Sequence, residues 1–241
     1  MEKIRDIILN GFQSISSFEM ENDKLDKISK YLSLLSWWNQ KFNLTGFKSK
    51  EAMAVDLVLD SYTVLATGEI RNGSQFLVDV GSGSGVPGIP LKIFFPELQL
   101  LLVDSNRKKC SFLEEVIREL NLSQSQIVWE RAENLAQQEN FRESFDLATT
   151  RALSALRIDL ELVIPLLKVG GRAIFYKGTG YDVELKEARR ALQILGCEVK
   201  NVYQVPIPFR DRKNFLVVIR KQKATSEKYP RSTKKIYKNP L

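Results

Sequence analysis

The sequence predicts an α/β protein: a doubly wound, mostly parallel seven-stranded sheet with helices on both faces, preceded by a helical extension. Three observations carry this. From residue 76 onward, short apolar and β-branched runs alternate with segments of helical periodicity. The first of these runs ends in a dense glycine bend, where folds of this kind receive a ligand beyond the strand carboxyl ends. Residues 1–70, by contrast, read as helices.

In that first part Leu25, Ile28, Leu32 and Leu35 share one helical face. Trp37 and Trp38 follow near its end, and at least one is expected to pack inward. Asn43-Leu-Thr-Gly46 breaks the pattern as a turn. A third helix is expected over 50–66, with Met53, Leu57, Val58, Ser61 and Leu65 on one face. Residues 71–74, Arg-Asn-Gly-Ser, form a link. Strands are then expected at 76–80, 99–103, 126–130, 145–150 and 171–176, with helices near 88–95, 107–120, 133–139 and 155–167. Right-handed crossovers put those helices on both faces. A helix at 181–195 precedes strands at 197–205 and 214–220, an antiparallel edge hairpin. The division that follows is an extension (1–70), a core (71–223) and a basic, flexible tail (224–241).

Composition sets limits. The 241 residues are 44% hydrophobic and 27% charged, ordinary for a globular chain. No apolar run is long enough to cross a bilayer, and the first residues are not those of a signal peptide. Cys110 and Cys197 stand far apart, which suggests neither a disulfide framework nor a metal cluster, and a reducing cytoplasm is the expected setting. Of the net charge of +7, residues 221–241 hold seven Lys or Arg and one Glu, leaving the first 220 residues close to neutral. The tail is therefore either a solvated end or a phosphate-binding one. There is no histidine, so histidine triads and histidine metal sites are excluded, and no metal is expected.

The stretch from 76 to 91 concentrates the chemistry. Strand 76–80 is broken only by Asp79, and Gly81, Gly83, Gly85 and Gly88 let the backbone bend and approach a ligand closely. Pro87 and Pro90 fit a helix first turn. Gly83-Ser-Gly-Val-Pro-Gly88 also satisfies the dinucleotide fingerprint, so a nicotinamide or flavin enzyme is an alternative. Against it, Asp79 lies two residues before the first glycine, unwelcome to a pyrophosphate but suited to an ammonium. Asp104, ending the second strand, is placed to accept both hydroxyls of a ribose, although a dinucleotide site uses such an acid too. Together the set resembles the S-adenosylmethionine site of class I Rossmann-like methyltransferases. At the ends of the third and fourth strands stand Arg131-Ala-Glu133 and Arg151-Ala152. The plainer readings are a helix cap for Glu133 and a surface ion pair for Arg151.

Several motifs extend the resemblance over nearly the whole chain: Trp38-Asn-Gln-Lys-Phe-Asn-Leu-Thr45, Leu59-Asp-Ser61, Asp79-Val-Gly-Ser-Gly-Ser-Gly-Val-Pro-Gly-Ile-Pro90, Asp104-Ser105 with Lys108-Lys109, Arg131-Ala-Glu133, Arg151-Ala152 and Tyr176-Lys-Gly178. They are similar to the RsmG family, also called glucose-inhibited division protein B, and the ending 228–241 resembles that of some members. The family methylates N7 of a guanine in small-subunit (16S) ribosomal RNA using S-adenosylmethionine. The resemblance implies that Gly81 and Val86 line the cofactor and that Ala132 and Glu133 hold its adenosine. It puts Arg151 at the cofactor and the approach of the base, as a positioning group, and makes Arg131, Lys108, Lys109 and Lys177 candidate RNA contacts. Asp79, Gly83, Gly85 and Asp104 join the cofactor set on the residue chemistry. The family often has a histidine shortly before the Asp-Ser pair; here Leu57-Val-Leu59 stands there.

Guanine N7 carries a lone pair and no proton, so methylation there needs no general base, in keeping with a histidine-free chain. The narrow major groove of A-form RNA hides N7, so the substrate guanine is expected in a loop or in RNA opened during assembly, naked or in a ribosomal particle. Arg107–Lys109, Arg210–Lys213 and the tail are further candidate phosphate contacts. On this reading, removal of 224–241 weakens RNA binding and leaves cofactor affinity unchanged. Alternatives are a methyltransferase for another RNA or a small molecule, and a non-catalytic RNA-binding module.

Overall fold

β1 (Phe76–Val80) lies inside a seven-stranded sheet of order β3-β2-β1-β4-β5-β7-β6 in the computed structural model, which describes residues 2–241. Its partners are β2 (Gln99–Asp104), β3 (Ser125–Trp129), β4 (Phe145–Arg151), β5 (Leu167–Lys177), β6 (Cys197–Gln204) and β7 (Phe215–Lys221). β1 to β5 run parallel, and β7 is antiparallel to both β5 and β6, the expected edge hairpin. The chain winds outward from β1 through β2 to β3, then returns to β4 on the other side of β1. That reversal opens a crevice beyond the carboxyl ends of the central strands, the usual ligand position in such sheets.

Both faces are covered, which is why β1 reads as nearly continuous apolar sequence. Leu77 joins one core; Val78 and Val80 join the other. The first core receives α1 (Glu2–Ile15), α2 (Asn22–Lys41), α5 (Gly88–Phe94) and α6 (Arg107–Glu119). The second receives α7 (Ala132–Leu135), α8 (Leu156–Val163), α9 (Tyr181–Glu187) and α10 (Arg189–Leu195). Of the two tryptophans, Trp38 packs inward and its Nε1 donates to Glu115 at 2.9 Å, whereas Trp37 is exposed.

Three expectations need correction. The helix expected over 50–66 is a composite: α3 (Lys50–Met53), a π-helical segment (Ala54–Leu59), α4 (Asp60–Tyr62) and a 3-10 turn (Thr63–Thr67). Every residue from Met53 to Leu65 is buried, not one face only. The run lies between α1 and the sheet: Phe12 of α1 meets Tyr62 edge-on, and the Tyr176 hydroxyl of β5 donates to the Ser61 carbonyl at 2.9 Å. β5 begins at Leu167, ahead of the expected 171, because Pro165 ends the preceding helix in a 3-10 turn.

The third correction concerns the tail. Residues 224–241 are a packed strap ending in α11 (Thr233–Lys238), with Ile236 and Leu241 buried in the second core. The Arg231 guanidinium grips Glu161, itself fully buried, at 2.6 and 2.8 Å. Arg142 donates to the carbonyls of Thr225, Ser226 and Tyr229. Polar anchors and two apolar residues hold what composition marks as a solvated end.

Candidate active site

The glycine bend is built from local backbone needs. Gly81 takes φ +72°, a left-handed conformation that side chains rarely tolerate, and this lets the N–H groups of Gly81 and Ser82 both reach the Val103 carbonyl, at 2.9 and 3.0 Å. Gly88 is required by space: a Cβ there would lie 2.7 Å from Leu102 Cδ2 and 2.9 Å from Asp79 Oδ2. The Ser82 hydroxyl donates to the Asp79 carbonyl at 2.7 Å and accepts Val103 N–H at 3.1 Å. From the helical extension, the Tyr31 hydroxyl donates to the Ser84 carbonyl at 2.6 Å. The extension therefore braces the bend directly.

A cavity of about 260 Å³ opens beside this bend, lined among others by Gly81, Asp104, Lys109, Ala132, Glu133 and Tyr237. It sits beyond the carboxyl ends of β1, β2 and β3, as the sheet reversal requires. The Asp104 carboxylate accepts Gly83 N–H at 2.9 Å and Asn106 N–H at 2.8 Å, which fixes its orientation at the cavity wall. Lys109 Nζ stands 3.9 Å from it. Across the cavity Glu133, at the start of α7, accepts a hydrogen bond from the Thr233 hydroxyl of the strap. Two acids lining one space together with a glycine bend and the small Ala132 suit a ligand that offers hydroxyl and amine donors. The residues thus fit S-adenosylmethionine: Asp104 for ribose hydroxyls, Ala132 and Glu133 for the nucleoside, the Gly81 bend for the amino-acid end.

The other expected site residues fall elsewhere. Asp79 is buried; Thr149 Oγ1 donates to its Oδ1 at 2.9 Å and Gly88 N–H to its Oδ2 at 3.3 Å. Burial pushes its pKa up to about 7, against the pull of those two donors. Its carboxylate is committed to holding the bend and does not face the cavity. Gly83, Gly85 and Val86 shape the bend from behind, outside the lining.

Arg151 also turns away from the cavity. Its Nε donates to Asp60 at 2.6 Å and its Nη2 to the Asp56 carbonyl at 2.7 Å, both in the helical extension. The next two residues, Ala152 and Leu153, are the ones that line the cavity. Lys177 requires a plain correction: it is buried, and its ammonium donates to Ser154 O, Asp159 Oδ2 and Glu184 Oε2 at 2.8, 2.8 and 3.0 Å. A lysine so saturated is an internal ion and not a phosphate contact. Arg210 and Arg212, expected to contact phosphates, both pair with the buried Asp56, at 2.6 and 3.2 Å.

Lys108 and Arg107 do stay outside, each over an aromatic ring: Lys108 Nζ 4.9 Å from the Phe42 centroid, Arg107 5.2 Å from that of Trp129. Arg131 and Lys109 line the rim of the cavity. Sequence reasoning missed Tyr237, Leu153, the exposed Trp129 and the Asp56–Asp60 pair. For the last pair a signal existed, since two acids inside an apolar helix demand buried partners.

Known proteins resemble this chain over most of its length. A family model described as rRNA small subunit methyltransferase G matches residues 24–213. A protein of Carboxydothermus hydrogenoformans named ribosomal RNA small subunit methyltransferase G is 42% identical over 233 residues, covering 97% of this chain and 98% of its own. One of the same name from Alkaliphilus oremlandii is 38% identical over 99% of both chains. Among solved structures, the [4+2]-cyclase SpnF superposes with a TM-score of 0.55 at 15% identity, over 83% of this chain and 96% of its own. A ribosomal protein L11 methylase from Lactobacillus delbrueckii reaches 0.51 at 15% identity, over 70% and 79%, so these two share the fold alone. With a family match over most of its length and relatives aligned almost end to end, the chain belongs to the rRNA small subunit methyltransferase G family.

Proposed function

We propose that the protein transfers a methyl group from S-adenosylmethionine to N7 of a guanine in small-subunit ribosomal RNA, in the cytoplasm. The observation that carries this is the cavity flanked by the Asp104 and Glu133 carboxylates at the sheet reversal of a chain in this family. When bound, the cofactor supplies an electrophilic sulfonium methyl. The chain's own task is then to hold, orient and shield. Asp104, its geometry fixed by two backbone donors, receives hydroxyls without having to reorganise. No side chain is needed to remove a proton, because N7 has none. Orientation of this kind supplies up to about 7–11 kcal/mol of a barrier in favourable cases. Arg151 acts as a positioning residue: by tying the end of β4 to Asp60 it sets Ala152 and Leu153 against the cavity.

The RNA face is proposed beside the cavity, where Trp129, 57% exposed, shares a surface groove with Arg131 and has Arg107 over its ring, while Lys109 lines the cavity and Lys108 lies over Phe42. Cations next to an open aromatic face suit an unpaired base and its phosphates, since stacking and backbone charge together hold single strands. A guanine drawn from a loop offers its N7 edge, which a paired A-form helix withholds.

The test is to incubate the protein with methyl-labelled S-adenosylmethionine and small-subunit RNA lacking the modification, both free and in ribosomal particles, and map the label. One 7-methylguanosine is expected. Label on another atom, or none in either substrate, overturns the reading. Single-turnover transfer at saturating cofactor and RNA is expected to be flat through neutral pH, and an acid limb near neutrality would reinstate a general base.

A further inference from the structure

The strap contributes more to this cavity than a cover. Along α11, Thr233 and Tyr237 stand one turn apart, at i and i+4, and meet the cavity: Thr233 through the Glu133 carboxylate, Tyr237 as part of the lining. Ile236 turns into the second core, while Lys234, Lys235 and Lys238 face solvent. The helix is held in this rotation by anchors on its approach. Arg231 grips Glu161 by main-chain and side-chain donors, and Gln137 Nε2, next to α7, donates to the Pro230 carbonyl at 2.9 Å. Tyr237 is 48% exposed even so, an aromatic ring at the edge of a polar cavity with little of its own to pack on. This segment lies beyond residue 213, where the family match ends.

We propose that residues 224–241 complete the nucleoside end of the cofactor site, with the Tyr237 ring as a wall for the adenine and the Thr233 hydroxyl as the positioning group for Glu133. The proposal rests on the cavity being the S-adenosylmethionine site. It reverses the expectation that removing the tail spares cofactor affinity. An aromatic face beside a carboxylate is a suitable receiver for a nucleoside: the ring stacks on the base while the acid accepts from its donors. A free Glu133 would sample several rotamers, and the hydrogen bond from Thr233 selects one before the ligand arrives.

Titration calorimetry of the full chain with S-adenosylhomocysteine decides it. Tyr237→Ala is expected to weaken binding about tenfold, and Tyr237→Phe to stay within threefold of wild type. Thr233→Val is expected to lose about fivefold, and Thr233→Ser, which keeps the hydroxyl, to restore it. The pair Lys234→Ala and Lys238→Ala, on the solvent face, is expected to change affinity less than twofold. Thermal unfolding of Tyr237→Ala is expected to match wild type, since nearly half of that side chain is already in water. If wild type binds and Tyr237→Ala and Thr233→Val bind equally well, the strap is structural and the proposal fails while the cofactor reading stands. If wild type does not bind, the cofactor reading fails and takes this proposal with it.

Discussion

Two clusters of carboxylates and basic side chains lie where the strands of this sheet end, and they differ in whether the acids have been left free. At the cavity, Asp104 and Glu133 accept hydrogen bonds from neutral donors, Gly83 and Asn106 N–H for one and the Thr233 hydroxyl for the other, with Lys109 Nζ no closer than 3.9 Å to Asp104. At the seam between the helical extension and the sheet, Asp60 takes Arg151 and Asn214, and Asp56 takes Arg210 and Arg212. The seam is as rich in charge as the cavity, yet both of its acids are paired, two aspartates against three arginines. Availability to a ligand is therefore a property of the partner set and not of residue type. An acid at the cavity wall with no cation in hydrogen-bond contact keeps acceptor capacity for a ligand; one gripped by arginine has spent it on the fold.

The largest expected effect breaks the seam. Asp60→Ala leaves the Arg151 guanidinium, whose side chain is only 18% exposed, without its carboxylate. Burial raises the Asp60 pKa and Arg151 draws it back, so the pair stands or falls together. A loss of about 3–5 kcal/mol in urea unfolding is expected, as for other buried ion pairs broken on one side. A double-mutant cycle with Arg151→Met is expected to recover much of it. If Asp60→Ala is as stable as wild type, the seam is not an internally paired cluster and the contrast with the cavity collapses.

At the cavity the corresponding change strikes affinity first. Asp104→Ala removes a charged acceptor for two hydroxyls, so S-adenosylhomocysteine binding is expected to weaken by about 1.5–3 kcal/mol, the range for hydrogen bonds to a charged group. The fold loses two backbone caps on that carboxylate and the long Lys109 pair. Calorimetry beside urea unfolding separates the two losses. Equal damage to stability and affinity would place Asp104 with Asp60, as a structural acid.

Asp79 lies between the two kinds, buried and hydrogen-bonded but with no cation on it. Its pKa of about 7 in the fold lies above the ordinary value of 3.8. Between those two pH values the native state therefore holds a proton that the unfolded chain has released, and stability falls as pH rises. The contribution is full below about pH 4 and gone above about pH 7, at most about 2 kcal/mol between pH 5 and pH 7. Asp79→Asn is expected to flatten that slope relative to wild type in unfolding measured across this window. An unchanged slope would mean that the acid is ionised throughout.

These contrasts explain what the sequence could show. The bend from Gly81 to Gly88 and the acid at Asp104 are legible because strand, glycine loop and next strand are local pattern, and the sheet reversal follows from strand order. All seven strands and the edge hairpin were legible for the same reason. Lys177, Arg151 and Arg210 were not, because whether a cation is free depends on acids far along the chain: Asp159, Asp60 and Asp56 respectively. The tail misled for a related reason. Its composition is that of a solvated end, and what pins it is the buried Glu161 and the half-buried Arg142, with Ile236 and Leu241 as apolar plugs. The π-helical segment gave no signal, since periodicity analysis presumes 3.6 residues per turn.

The smallest expected effect tests the same rule on the surface. Lys108 and Lys177 are both lysines near the strand ends, and residue type alone makes them equivalent RNA contacts. The partner rule separates them. Lys108 has a ring beneath it and no acid, so Lys108→Ala is expected to leave stability within about 0.5 kcal/mol and to reduce the salt slope of RNA binding by somewhat less than one. Lys177→Ala strands Asp159, which is 1% exposed, and is expected to appear in unfolding with no change in salt slope among the molecules that remain folded. Filter binding from low to moderate salt, run beside denaturation, reads both. The rule fails if Lys177→Ala folds normally and flattens the slope, because its three internal acceptors would then have left the charge free for phosphate.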